Sequence, residues 1–205
     1  MSIKRYDDLD HMQIDVLREI GSIGSGNAAT SLASVINQKI TMTIPTVQIL
    51  DANKIFKKLG GPEKIVSAVL VKFSGEIEGV ILYLQSLEFI NIVLKNTLSK
   101  TIGSYEELSS LELSALIEIG NIMISSYISA ISKMIDLKIE LTVPANTINM
   151  LGAIMNVPMT EYGFSSDKMM IIDGKIICDG NEIESNLIMV PEIGSLATIL
   201  KRLGV

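Results

Sequence analysis

Three polar side chains stand at helical spacing inside an otherwise apolar stretch of this 205-residue sequence. Ser114, Glu118 and Asn121 are separated by four and three residues within SALIEIGNIMISSYISAI. At about 100° per residue these positions fall within about 60° of one another, so they share one helix face. A carboxylate can pair with a cation, and an amide can orient a water molecule without titrating. The spacing therefore predicts a helix whose polar face binds or positions a reacting group.

Hydroxyls extend this polar strip, because Ser125, Ser129 and Ser132 continue it along the same stretch. Ile119 and Ile122 flank the strip, and we expect both to be partly exposed. The opposite arc is expected to face a core and holds Leu113, Leu116, Ile117, Gly120, Ile124, Tyr127 and Ile131. A solvated face normally mixes several charges, whereas this strip has one carboxylate. The pattern favours a docking surface with one reactive point, and a plain solvated face is the alternative.

The first half of the chain carries a second version of this pattern. A shift of 99 residues aligns residues 15–45 with residues 114–144 without a gap. The matched pairs are Asp15 with Ser114, Glu19 with Glu118, and Ser22 with Asn121. A shift of 106 then aligns Glu76–Leu84 with Glu182–Val190. The second copy therefore holds about seven additional residues, which we expect between Met150 and Lys168.

Within each copy the hydrophobic period changes in the same order. A long helical pattern is followed by a β-branched strand, a short helical connector, a hairpin and a short amphipathic helix. The long patterns cover about 9–37 and 105–135, and the final helices cover 87–98 and 193–203; Asp173-Gly174 and Asp179-Gly180 are turn signals in the second hairpin. We predict an internally duplicated, pseudo-two-fold α/β layered fold with an about six-stranded, largely antiparallel sheet. Two long helices carry the sites, and residues 1–205 form one domain of two repeats, about 9–99 and 105–205.

Composition excludes several other classes of protein. The net charge of −6 argues against a nucleic-acid binder, which needs a basic face. No run of 18 residues lacks charge and strong polarity, and the N-terminus lacks a signal peptide, so we expect a cytoplasmic protein without membrane insertion. The lone Cys178 reads as a small buried hydrophobe, and the lone His11 as a solvated helix-entry residue. The glycines of residues 21–30 lack the Lys-Ser/Thr ending of a phosphate loop and favour close helix packing.

The second helix resembles the active helix of the CheC/CheX/FliY chemotaxis phosphatases. Their pattern is Asp or Ser, three residues, Glu, two residues and Asn, which stands here in SALIEIGNIM. The first copy, REIGSIGSGNAATSL followed by INQKITMTIPTV, is similar to the N-terminal copy of CheC proteins. The resemblance covers essentially the whole chain. Two tandem copies without an added domain favour CheC over CheX, which has one active helix, and over FliY, which has a flagellar-switch domain.

The resemblance implies a phosphatase for the response regulator CheY, whose receiver domain holds an aspartyl phosphate and a Mg²⁺ ion. Asn121 would orient the in-line water, and Glu118 would pair with a cation such as the lysine beside the phosphorylated aspartate. Ser114 would be a peripheral contact. Because the phosphate is already activated, positioning a water is most of the remaining task. No cofactor of the chain's own is implied.

In the first copy, Asp15 and Glu19 fit the family pattern, but Ser22 stands where it has Asn. A serine hydroxyl is shorter than an asparagine amide and reaches the water only if the partner docks closer. We therefore expect a weak or silent catalytic site at Glu19 and Ser22, with Glu19 still able to bind. Asp15, like its counterpart, would be a peripheral partner contact.

The resemblance also implies partners. We expect a phosphorylated CheY-type receiver, a CheD-type deamidase whose contact residues the sequence does not assign, and a monomer, because internal duplication often replaces a dimer. An alternative is a non-catalytic adaptor that docks a receiver or a CheD-type deamidase. A purely structural duplicated protein is the third interpretation, and burial of Glu118 and Asn121 against the sheet would favour it.

Overall fold

The computed structural model describes Ile3 and residues 5–162 and 168–205, in which each half repeats one order of elements. The first half comprises α1 (His11–Ile36), β1 (Ile40–Met42), β2 (Thr46–Asp51), α2 (Ala52–Leu59), β3 (Ile65–Gly75), β4 (Gly79–Gln85) and α3 (Leu87–Leu98). The second comprises α4 (Ser110–Ile135), β5 (Ile139–Leu141), β6 (Ala145–Met150), α5 (Leu151–Tyr162), β7 (Lys168–Cys178), β8 (Asn181–Pro191) and α6 (Ile193–Arg202). Single 3-10 turns at Tyr6–Asp8 and Tyr105–Glu107 precede the two long helices.

All the described strands join one antiparallel sheet in the order β1-β7-β8-β4-β3-β5. β2 also pairs with β7, and β6 also pairs with β3, so eight strands occupy six positions. Pro45 and Pro144 separate the two members of each edge pair, where proline cannot donate to the ladder. The predicted α/β fold with a largely antiparallel sheet is confirmed, but it has eight strands instead of about six, because a proline divides the edge strand of each half into two.

Each half contributes the edge of the sheet that completes the other half. β1 and β2 pair with β7, which lies in the second half, and β5 and β6 pair with β3, which lies in the first. The two hairpins meet at the centre, where β4 pairs with β8. The sequence predicted three strands per copy but not this exchange, because a strand's apolar pattern does not state which edge it joins.

The helices cover the sheet on two faces. α1, α4, α3 and α6 share one core cluster, in which Leu17 and Leu116 pack with Val69 and Ile172 of the sheet. The shorter α2 and α5 cover the other face, where Ile55 lies in a second cluster. The first layer is the one that matters for the site, because it holds both helices that carry the repeated polar pattern.

Hydrogen-bonded caps define where the two long helices begin. The Asp10 side chain accepts from the Gln13 amide at α1, and Ser109 exchanges hydrogen bonds with Glu112 at α4. Asn37 and Asp136 end these helices in the left-handed conformation. The helix predicted over about 9–37 is confirmed to within two residues. The helix predicted over about 105–135 begins five residues later than expected, because a separate 3-10 turn at Tyr105–Glu107 precedes the Ser109 cap.

Two further details differ from the sequence prediction. Asp173-Gly174 lies inside β7, and only Asp179-Gly180 forms a turn, with positive φ angles of 51° and 77°. Ile119 is buried at 3% exposure instead of partly exposed, because α4 packs against both the sheet and α1.

The extra residues of the second copy fall partly in α5, which has 12 residues against 8 in α2. Residues 163–167 of that segment lie outside the described residues.

Two expectations about single residues are confirmed. His11 is exposed and is the first residue of α1, and Cys178 is buried in β7, where burial raises the pKa of its thiol. α4 is long and apolar enough to cross a membrane by length and composition, with a mean hydropathy of 1.4 over 18 residues. Half of that window is buried inside the fold, as in a core helix of a globular protein.

Candidate functional site

The polar face of α4 lies on the outer side of the helix. Glu118 and Ser114 are exposed, and Asn121 is half-buried one turn after Glu118. Within the part of the chain that the structure describes, neither the Glu118 carboxylate nor the Asn121 amide has a hydrogen bond or ion pair. The Ser114 hydroxyl donates to the Ser110 carbonyl at 2.8 Å, and the Ser125 hydroxyl donates to the Asn121 carbonyl at 2.5 Å. The carboxylate and the amide are therefore both available to a partner.

The buried side of α4 holds this face close to the sheet. A Cβ atom at Gly120 would lie 2.4 Å from Cγ2 of Val69, so only glycine lets the helix approach β3 at this point. Gly21 has the same role in α1, where a Cβ would lie 2.4 Å from Cγ2 of Val47. The sequence interpretation of Gly120 as a packing residue is confirmed. Both site helices thus sit directly on strands immediately below their polar faces.

The matching face of α1 differs in its charges. Glu19 and Asp15 are exposed and Ser22 is half-buried, as their counterparts on α4 are. Asp15 is already ion-paired, because Nη1 of Arg18 lies 2.6 Å from Oδ1 of its carboxylate. Arg18 stands where α4 has Ile117, so the first face carries a cation that the second lacks. Sequence reasoning missed this pair, although its i, i+3 spacing could have revealed it.

The two site helices cross each other. A Cβ at Gly24 of α1 would lie 2.5 Å from the Tyr127 ring of α4, so Gly24, like Gly21, serves close packing as predicted, whereas a Cβ at Gly26 would have nothing within 4 Å. The Ser126 hydroxyl donates to the Ser31 hydroxyl at 2.7 Å across the crossing. An open groove of about 560 Å³ runs beside it and is lined by Ile23, Asn27, Ser31, Ser125, Ser126, Ser129, Ala130, Lys133 and Met134. Both polar faces precede this crossing along their helices.

The start of α4 is fixed by a charged cap. The Glu112 carboxylate is buried, accepts from the hydroxyl and the amide of Ser109, and lies 2.9 Å from Nζ of Lys100. The Ser109 hydroxyl, then Lys100 and the Ser109 amide, lower the pKa of Glu112 to about 2. α1 has Gln13 at this position. The two helices are therefore capped in the same geometry, but among the described residues only the α4 cap contains an ion pair.

The site does not resemble a metal centre. Within residues 5–162 and 168–205, no group of three or more His, Cys, Asp or Glu side chains is placed to hold a metal ion. What the polar faces offer is one exposed carboxylate on α4 and two on α1, with an amide on α4 and a hydroxyl on α1 one turn after the matched glutamates. Such groups can pair with a cation and orient a water molecule.

Comparison with known proteins matches a segment around each of the two long helices. The model of the CheC-like family matches residues 12–49 and residues 111–148. The first match runs through most of α1 to β2, and the second runs through most of α4 to β6. Each match therefore contains one polar face and the edge strands that follow it.

Individual relatives cover nearly the whole chain. The chain is 24% identical over 203 residues to the CheY-P phosphatase CheC of Bacillus subtilis, covering 97% of both proteins. A crystal structure of FliY from Thermotoga maritima superposes with a TM-score of 0.74 at 20% identity, covering 96% of this chain and 98% of that one. A chain of the CheX–CheY–BeF₃–Mg²⁺ complex from Borrelia burgdorferi superposes with a TM-score of 0.50 at 16% identity, covering 82% and 96%. The structural likenesses show a common fold.

Proposed function

We propose, from the premise that this chain belongs to the CheC-like family, that it is a phosphatase acting on the aspartyl phosphate of a CheY-type receiver. The relative that it matches over 97% of its length is named a CheY-P phosphatase, and a fold neighbour is a CheX–CheY complex. The observation that carries the proposal is the exposed Glu118, one turn before Asn121, with both side chains unengaged in the described parts of the chain.

In the proposed reaction, Asn121 orients the attacking water. Its amide accepts a hydrogen bond from the water or donates one to it, which places the water oxygen in line with the scissile bond. The water oxygen forms a bond to phosphorus, and the phosphorus–oxygen bond to the aspartate breaks. The electron pair leaves with the aspartate carboxylate, and the water protons remain on the dihydrogen phosphate product. The receiver's own Mg²⁺ supplies charge stabilisation at the phosphoryl oxygens.

Glu118 acts in binding. Its carboxylate is exposed one turn from Asn121, so it can pair with a cationic group beside the receiver's phosphorylated aspartate. Ser114 and, on the first helix, Asp15 are peripheral contacts. Glu19 and Ser22 form the second, weakened site, in which Glu19 binds and the shorter Ser22 hydroxyl does not place the water. The Asp15–Arg18 ion pair, which has no counterpart on α4, supports this assignment.

The proposal also covers the domain organisation, cellular location, oligomeric state and partners of the chain. Residues 1–205 act as one CheC-like domain of two repeats, a reading supported by the pairing of each half's edge strands with the other half. We further propose a cytoplasmic monomer with no cofactor of its own. A CheD-type deamidase is a second proposed partner, with no assigned contact residues.

The decay of a phosphorylated CheY-type receiver tests this function. With Mg²⁺ present, we expect the wild-type chain to accelerate phosphate release and Asn121→Ala to abolish the acceleration. Absence of acceleration by a folded wild-type chain that still binds the receiver would refute the phosphatase and leave a docking adaptor. Measuring binding by titration alongside decay separates these outcomes.

A further inference from the structure

A buried polar network links the sheet to α4 directly beneath the proposed site. Nε2 of Gln85, at the end of β4, donates to the Leu116 carbonyl of α4 at 3.0 Å. Its Oε1 accepts from the Ser67 hydroxyl of β3 at 3.0 Å, and Nδ2 of Asn146 in β6 donates to that hydroxyl at 3.2 Å. Gln85 and Ser67 are both 0% exposed. The network therefore ties three strands to one turn of the site helix.

This network is unusual in its surroundings. Among the described residues, α1 and α4 otherwise meet the sheet through apolar side chains, which fix the distance between layers but allow some sliding. A hydrogen bond from a buried amide has a direction, and breaking it leaves the buried amide donor unpaired. Gln85 consequently restricts where the Leu116 turn can lie along and across β4.

The Leu116 turn is the one that presents the site. Glu118 follows Leu116 by two residues and Asn121 by five, so any shift of this turn moves both side chains. Gly120, whose missing Cβ allows contact with Val69, lies in the same segment. The contact of Gly120 with β3 thus sets how closely α4 approaches the sheet. The hydrogen bond from Gln85 of β4 sets the lateral position of the Leu116 turn.

The first copy keeps the frame but lacks this link. Tyr105 donates its hydroxyl hydrogen to the Gln85 carbonyl at 3.4 Å, and Tyr6 does the same to the Pro191 carbonyl at 3.2 Å. These matching contacts identify Pro191 as the counterpart of Gln85, in agreement with the 106-residue shift. Proline has no side-chain donor, and Val47 stands in place of Asn146. Beneath α1 the equivalent bond therefore cannot form.

We propose that Gln85 is a positioning residue, held by Ser67, that sets Glu118 and Asn121 for water attack on the receiver's phosphate. The proposal rests on the phosphatase function above. Displacement of a reacting group by about 1 Å can lower a rate about 10²-fold. The first copy lacks the Gln85 link and also has serine in place of the asparagine. A helix without that asparagine does not need such accurate placement.

The test compares Gln85→Met and Ser67→Ala with Ser185→Ala, a control at another buried serine of the sheet, whose hydroxyl bonds Tyr83 instead of Gln85. We expect Gln85→Met to lower kcat for receiver dephosphorylation about 10- to 100-fold with KM within about twofold. Ser67→Ala should lower kcat less, and Ser185→Ala should leave it unchanged. Melting temperatures are measured for all three, and Ser67→Ala decides the question if Gln85→Met does not fold.

Hydrogen exchange provides a readout independent of catalysis. In Gln85→Met, amides of residues 116–121 should exchange faster, whereas the matching residues 17–22 of α1 should not change. A wild-type kcat in both folded variants, or unchanged exchange across 116–121, would overturn the positioning role. If the wild-type chain itself fails to accelerate decay, the phosphatase function fails, and the exchange comparison still tests the link.

Discussion

Helices α1 and α4 are two versions of one scaffold that differ in what their polar faces can do. Both have 26 residues, begin at a capping box, end in a left-handed residue and approach a strand through a glycine. They differ at Ser22 against Asn121, at Arg18 against Ile117, and at Pro191 against Gln85 beneath them. Packing features are thus shared by both copies, whereas the groups suited to chemistry occur in one. The packing of a helix against the sheet is therefore independent of the polar residues that its outer face carries.

The largest expected difference between the copies is at the asparagine. Asn121→Ala should lower the rate of receiver dephosphorylation by about 10²–10³, as loss of other preorganised catalytic groups does. The matched control Ser22→Ala should change it less than about twofold, within the weakened role of that site. Both rates come from phosphate release at saturating phosphorylated receiver. Equal losses in the two variants would contradict the assignment of the working site to α4.

The Glu118 and Glu19 carboxylates should also differ in how strongly they bind the receiver. Glu118→Gln should raise KM about tenfold, the order expected for one charge-assisted contact, and flatten the salt dependence of binding. Glu19→Gln should have a smaller effect, because Arg18 already offsets negative charge on that face. Titration of the phosphorylated receiver at two salt concentrations measures both. A larger increase in KM from Glu19→Gln than from Glu118→Gln would show that the face of α1 binds the receiver more strongly than the face of α4.

Restoring the pattern on α1 should produce a smaller gain. In an Asn121→Ala background, Ser22→Asn should recover activity a few-fold, and well below the wild-type rate, because α1 lacks the Gln85 link. Adding Arg18→Ile, which copies Ile117, should increase the gain by removing the extra cation. Single-turnover decay detects changes of this size. No gain in a well-folded variant would mean that the first face is not competent to dock the receiver.

The smallest expected effect is on stability in acid. Because the folded-state pKa of Glu112 is lowered to about 2, its contribution is complete above its ordinary pKa of 4.5 and is lost as pH falls toward 2. Glu112→Gln, which copies Gln13 of α1, should reduce the loss of stability over that pH window. Urea unfolding at pH 5 and pH 3 measures the difference. If the free energy of unfolding of Glu112→Gln falls between pH 5 and pH 3 as much as that of the wild type, this cap has no role in acid stability.

Periodicity and self-comparison predicted much of this molecule, for reasons that are local. The duplicated helices and the exposed face of Glu118 follow from residue spacing along one helix. Ile119 was misjudged because its burial depends on α1, and Asp173-Gly174 was misread because a turn signal can be accommodated inside a long strand. The role of Gln85 could not be predicted, since its partner Leu116 is 31 residues away and offers a backbone carbonyl, which no sequence pattern reveals.

The exchanged edge strands have a consequence for how the chain is made. Thr46 of β2 pairs with Asp173 of β7, 127 residues later, so β2 leaves the ribosome long before its partner exists. The outer edge of β3 likewise stays unpaired until β5 and β6 have been synthesised. A nascent first half would present unpaired edges on β2, β3 and β4, which favour pairing between neighbouring chains. Completion of the sheet therefore depends on β7, and synthesis of the second half protects the first from aggregation.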